Sequence, residues 1–111
     1  MDAPPGFERT KNGRYFHRYG PAYDPEGQVA NVKLCIVASA RAELVALLET
    51  LAARTDCFYL NLTVAPRGGM FMGRVFLSNR IAVGQAWAEL KNHPRMFVTV
   101  QDDDFTRAYR G

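Results

Sequence analysis

From residue 32 onward the chain switches regularly between two hydrophobic periods. Val32-Lys33-Leu34-Cys35-Ile36-Val37-Ala38 is a β-branched, apolar run of strand length. Leu44, Leu47, Leu48 and Leu51 then recur at i, i+3, i+4 and i+7, which predicts a helix over 40–54 with Ser39 as its N-cap. Phe58-Tyr59-Leu60-Asn61-Leu62-Thr63-Val64 alternates strictly, as a strand with one buried face does. Pro66-Arg67-Gly68-Gly69 reads as a turn, and residues 70–77 as the returning strand, with Val75 and Leu77 inward. Ser78 or Asn79 caps a second helix over 80–92, striped by Val83, Ala86, Trp87 and Leu90 and stopped by Asn92-His93-Pro94. Met96-Phe97-Val98-Thr99-Val100 is the last strand. Residues 1–30 lack this regularity. Pro4-Pro5-Gly6, Lys11-Asn12-Gly13, Gly20-Pro21 and Asp24-Pro25-Glu26-Gly27 break them up, leaving room for a short strand over 14–19. The chain therefore divides into an N-terminal arm (1–30), a domain (31–101) and a polar tail (102–111).

The order strand, helix, strand, strand, helix, strand predicts an α+β fold. It is the ferredoxin-like βαββαβ arrangement: a four-stranded antiparallel sheet in the order 4-1-3-2, two helices on one face, and the irregular arm added to it. One alternative stays open. Asp24–Gly27 turns the strand at 14–19 back against 32–38 and displaces the last strand. In the 4-1-3-2 order, Cys35 and Cys57 stand two strands apart, roughly 9–10 Å. That is beyond the reach of a disulfide.

Strand parity sorts the side chains by face. Val32, Leu34, Ile36, Phe58, Leu60, Leu62, Val75, Leu77, Met96, Val98 and Val100 face the helices. Lys33, Cys35, Val37, Tyr59, Asn61, Thr63, Met72, Arg74, Phe76, Phe97, Thr99 and Gln101 share the other face. That set is too apolar for a purely solvated surface and too polar for a second core. It implies a covering: a second copy, the arm, or single-stranded nucleic acid.

From Asn31 to Gln101 the chain resembles the ACT-type regulatory domain in element order and length. That resemblance implies dimers paired edge to edge or sheet to sheet. The family's glycine-bearing amino-acid-binding turn is replaced here by Ala38-Ser39-Ala40-Arg41-Ala42, so amino-acid sensing is not carried over. The same order is similar to dimeric α+β-barrel proteins of the antibiotic-monooxygenase type, with His93 near the end of the second helix. It is similar also to the RNA-recognition motif, for which Phe76 and Tyr59 are the candidate base-stacking rings.

Composition narrows the classes. The 111 residues make one domain, with no apolar run long enough for a transmembrane helix and no basic-then-apolar leader pattern. Two cysteines without CxxC, and two histidines, give no structural zinc set. They point to reduced thiols in a cytoplasmic protein. The net charge of +3 is spread out, and 11 of the 14 basic residues are arginine, the side chain suited to carboxylate and phosphate clamps.

The chemistry-bearing residues are few. His93 reads as a residue at a helix C-terminus rather than a general base. Asp102-Asp103-Asp104 reads as a solvated run rather than a metal site, and Arg67-Gly68-Gly69 as a hairpin turn rather than a phosphate loop. Cys35 and Cys57 read as small apolar residues. The densest patch is Arg9, Lys11, Arg14, His17 and Arg18 interleaved with Tyr15, Phe16 and Tyr19. No catalytic set, metal or cofactor is expected. The expectation is a non-enzymatic protein-binding module of regulatory, adaptor or inhibitor type that also forms a homodimer. Its anchors are Tyr59, Arg74 and Phe76 on the open face and Arg14, Tyr15, Phe16 and Arg18 in the arm. The alternatives are RNA or single-stranded DNA binding by the same surface, and a small dimeric-barrel enzyme with His93 by a pocket.

Overall fold

The computed structural model describes residues 3–13, 15–27, 32–64 and 69–102. Six strands and two helices follow in chain order: β1 (Glu8–Arg9), β2 (Tyr15–Tyr19), β3 (Val32–Ala38), α1 (Arg41–Ala52), β4 (Cys57–Val64), β5 (Phe71–Leu77), α2 (Arg80–Leu90) and β6 (Met96–Asp102). They form one antiparallel sheet in the order β1-β2-β4-β5-β3-β6.

The four-stranded ferredoxin-like sheet expected from the sequence is thereby corrected. The fold is α+β, but the sheet has six strands, and the arm is not an irregular appendage. The overlap is partial: β6-β3-β5-β4 keep the expected neighbours, and β2 and β1 extend the sheet beyond β4. The alternative in which the arm strand pairs with β3 fails too, because β3 is flanked by β5 and β6. Asp24–Gly27 does turn, with Gly27 N–H donating to the Asp24 carbonyl and Glu26 N–H to Asp24 Oδ1. The strand before it runs along β4 instead. The physical reason is apolar. Phe16 lies opposite Leu62 and is only 3% exposed, so pairing with β4 buries a ring that water would otherwise solvate.

One core holds the helices to the sheet. Leu34, Ile36, Leu60, Leu62, Val75 and Leu77 from the strands meet Leu44 and Leu48 of α1 and Val83 and Ala86 of α2, all fully buried. Three expectations at this level need correction. Phe58 is not in the core; the β4–β5 register shifts between Cys57 and Tyr59, so Cys57 turns inward and Phe58 packs on Tyr23. Val100 has helix-side parity but is 41% exposed, since β6 has a strand on one side only. Ser39 does not cap α1: the N-cap is Ala40, without a side-chain bond, whereas Asn79 does cap α2 through Oδ1 and the Ala82 N–H at 2.8 Å.

Cys35 and Cys57 are free and buried, with β5 between their strands. Burial, reinforced by the Asp56 charge, pushes the Cys57 thiol up to about 11. The fold therefore favours the neutral thiol. Stability is expected to fall as pH rises from about 8.5, where an unfolded thiol ionises, through about 11. Denaturant melts at neutral and alkaline pH check this: Cys57→Ala, although less stable at neutral pH, should show a shallower alkaline loss than the parent chain.

Two glycines give substitutions of opposite sign. A Cβ on Gly20 would stand 2.2 Å from the Cys57 carbonyl oxygen, where the chain leaves β2 against β4. Gly20→Ala is expected to cost about 2–4 kcal/mol by prising β2 away. A Cβ on Gly84, inside α2, meets nothing within 4 Å. Gly84→Ala is expected to add about 0.5–1 kcal/mol by helix propensity alone. Thermal melts of both variants decide the pair.

Candidate functional site

The sheet has one face under the helices and one without a covering element among the described residues. Register reads the open face as three rows. The first runs Phe97, Val37, Met72, Thr63, Tyr15 and is mainly apolar. The second runs Thr99, Cys35, Arg74, Asn61, His17, Glu8 and is mainly polar. The third carries Gln101, Lys33, Phe76, Tyr59 and Tyr19.

The third row is an aromatic band. Phe76 and Tyr59 have ring centroids 5.9 Å apart, Tyr59 and Tyr19 5.4 Å, and Tyr19 and Tyr23 4.1 Å. His17 joins from the second row, 5.7 Å from Tyr59 and 5.3 Å from Tyr19. These separations suit attractive ring–ring packing, so the band is a stiff surface rather than a set of loose side chains. Tyr19 and Tyr23 remain 48% and 39% exposed. Lys33 is buried and sets its ammonium over the Phe76 ring, 5.5 Å from the centroid.

Polar atoms near the β2–β4 seam are under-satisfied. His17 Nδ1, Asn61 Oδ1 and Thr63 Oγ1 are inaccessible and have no hydrogen-bond partner in the structure. A buried polar atom left unpaired costs about 1–3 kcal/mol, and three of them cluster on neighbouring strands β2 and β4. Burial pushes the Tyr59 hydroxyl above its ordinary pKa, opposed by a hydrogen bond with Asn61. Burial likewise raises the Cys35 thiol, and the charges of Arg74 and Lys33 and a bond with Thr99 only partly offset it. The pair of cations beside Cys35 leaves the face electropositive at its centre. Glu8, at the far end of the second row, is the one acidic side chain in the three rows described.

The expected site residues do not all converge. Tyr15, Tyr59, Arg74 and Phe76 share the open face. Phe16 lies on the helix side in the core, between the guanidiniums of Arg9 and Arg41, 5.5 and 5.8 Å from its ring centroid. Arg18 sits opposite Leu60 on that same side and packs over Gly6. Arg14 lies outside the described residues. The structure adds His17, Tyr19 and Tyr23 to the face. The signal for the first two was their parity with Tyr15 in the arm strand. Tyr23 follows a turn and carries no periodic signal.

His93 stands elsewhere, in an open surface groove of about 440 Å³ lined also by Glu43, Leu47, Arg95 and Met96. Its Nδ1 accepts the Arg95 N–H at 3.2 Å, and Glu43 is paired with Arg95. Among the described residues, Leu44, Leu48 and Val83 pack in the core beneath the helices. Among the described residues no three His, Cys, Asp or Glu side chains are grouped to hold a metal, and no helix is long and apolar enough to cross a membrane. Comparison of the chain with protein-family models, with curated proteins and with solved structures gives no match.

Thr63→Val tests the cost of these unpaired atoms. The substitution keeps the β-branched shape and removes the unpaired hydroxyl, so stability is expected to rise by about 0.5–1.5 kcal/mol. A loss of stability in denaturant melts would show that the hydroxyl is hydrogen-bonded in solution.

Proposed function

We propose that this chain is a non-enzymatic binding module whose open sheet face docks a protein, and that the docked segment presents acidic residues beside an apolar anchor. The observation that carries the reading is the aromatic band lying against the cationic centre of the face. Tyrosine and arginine in such a setting are the side chains on which interfaces most often depend. Arg74 complements carboxylates. Recognition without catalysis matches a regulatory, adaptor or inhibitor role. Two buried free thiols suit a reducing compartment, and the cytoplasm is the proposed place of work.

Geometry weighs against nucleic acid on this face. Base stacking needs rings whose faces are free and flat to the sheet. Here Lys33 takes a face of Phe76, and the rings of Tyr59 and Tyr19 are tilted 52° to one another.

Selection of displayed peptides on the immobilised full chain tests the proposal. The expected result is enrichment of peptides with Asp or Glu next to a large apolar residue. Their binding should fall roughly ten-fold or more in Arg74→Glu and in Tyr59→Ala, with folding of each variant verified by its melt. Peptides that bind parent and variants alike would overturn it. So would a single-stranded RNA that binds with a steep salt dependence abolished by Arg74→Glu.

A further inference from the structure

We infer that the cavity beside the start of β1 binds a small zwitterion, a molecule that carries a carboxylate and an ammonium group. The inference concerns the margin of the sheet and does not rest on the function proposed for the open face. The cavity has a volume of about 240 Å³ and is lined by Gly6, Glu8, His17, Arg18 and Tyr19. Sites for drug-sized ligands run from about 300 Å³ upward, so this one suits a smaller molecule.

Two opposite charges line the cavity without meeting. The Arg18 guanidinium and the Glu8 carboxylate form no ion pair with each other, and neither has a hydrogen bond or ion pair with any described residue. Strand geometry keeps them apart. Arg18 leaves β2 on the helix side, whereas Glu8 stands opposite His17 in the open-face row. Arg18 is half-buried and lies against Gly6, where a Cβ would stand 2.6 Å from Nη1. Gly6, at φ +79°, therefore gives the guanidinium its place in the cavity wall. A guanidinium offers a fork of donors that matches a carboxylate, and this one has no acceptor in the free chain.

The main chain adds a donor and an acceptor. The Thr10 N–H donates to the Tyr15 carbonyl on the β1 side of β2, and the Gly20 N–H to the Phe58 carbonyl on the β4 side. Main-chain groups alternate sides along an antiparallel strand, so Tyr19, in step with Tyr15, points its N–H and C=O away from β4. β1 begins at Glu8, and before it the Phe7 N–H bonds back to the Pro4 carbonyl, which turns the chain off the edge. No described strand covers Tyr19. A ligand carboxylate accepts from Arg18 and the Tyr19 N–H, and its ammonium donates to Glu8 and the Tyr19 carbonyl. A plain anion would meet Glu8 as a like charge, and a plain cation would meet Arg18 in the same way.

Amide spectra of the isotope-labelled full chain test this. The chain is titrated to about 10 mM with alanine, with 4-aminobutyrate, and with propionate and propylamine as half-ligands. The expected result is saturable shifts at the Gly6, Glu8 and Tyr19 amides with one or both zwitterions, whose charge spacings differ. Each half-ligand should bind roughly ten-fold more weakly or worse. Arg18→Gln and Glu8→Gln should each weaken zwitterion binding roughly ten-fold. Neither side chain has a partner in the free chain, so both variants should melt with the parent. Arg74→Glu should leave the binding unchanged, which separates this site from the open face. No saturable shift with either zwitterion would overturn the inference. So would propionate binding as tightly as the zwitterions, the mark of a plain anion site, or binding that survives both substitutions.

Discussion

The antiparallel pairing of β2 along β4 is the interaction on which the rest of this architecture depends. Five residue pairs, from Tyr15–Thr63 to Tyr19–Tyr59, fix the strand in place. Because the side-chain period is two, that one register decides both faces at once. It sends Phe16 into the core and lifts Tyr15, His17 and Tyr19 onto the open face. A slip by one residue would bury the tyrosines under α1 and expose Phe16. Gly20 protects the register at its end, since only a glycine fits against the Cys57 carbonyl where the chain turns away.

The two faces then divide the work by chemistry. The helix side is almost wholly aliphatic, and its polar exceptions are guanidiniums stacked on Phe16 at the sheet's margin. The open side keeps polar atoms unpaired that a core would not tolerate, next to rings already ordered against each other. Ordering those rings in the free chain lowers the entropy lost when a partner arrives. Leaving Asn61, Thr63 and His17 short of partners lowers the stability of the free chain.

Much of this was legible from hydrophobic period alone. The bounds of β3 and β5, the two helices and the membership of the open face follow from spacing, because buried positions tie periodicity to geometry. What escaped were features that spacing does not encode. Phe58 was displaced by a bulge, which inserts a residue without a sequence signature and swaps Cys57 into the core. The short strand expected over 14–19 is present as β2, but its partner escaped, because a strand of five pairs with whichever neighbour has free hydrogen-bonding groups. β4 supplied that neighbour, so the sheet grew to six strands where a self-contained domain would have stopped at four. Phe16 was grouped with Tyr15 and Arg18 by composition. Alternation along β2 separates adjacent residues onto opposite faces, and composition cannot see that separation.

The contrast between the two edges of the sheet carries the argument furthest. On one side β4 does not end the sheet, because β2 and then the two-residue β1 pair beyond it, and a strand that short offers little template for another chain. On the other side β6 stops the sheet with seven residues, apolar side chains outward on both faces, and opposite charges at its two ends. The arm that closes the β4 side also lifts Tyr15, His17 and Tyr19 onto the open face, so one strand pairing both finishes an edge and completes the aromatic surface.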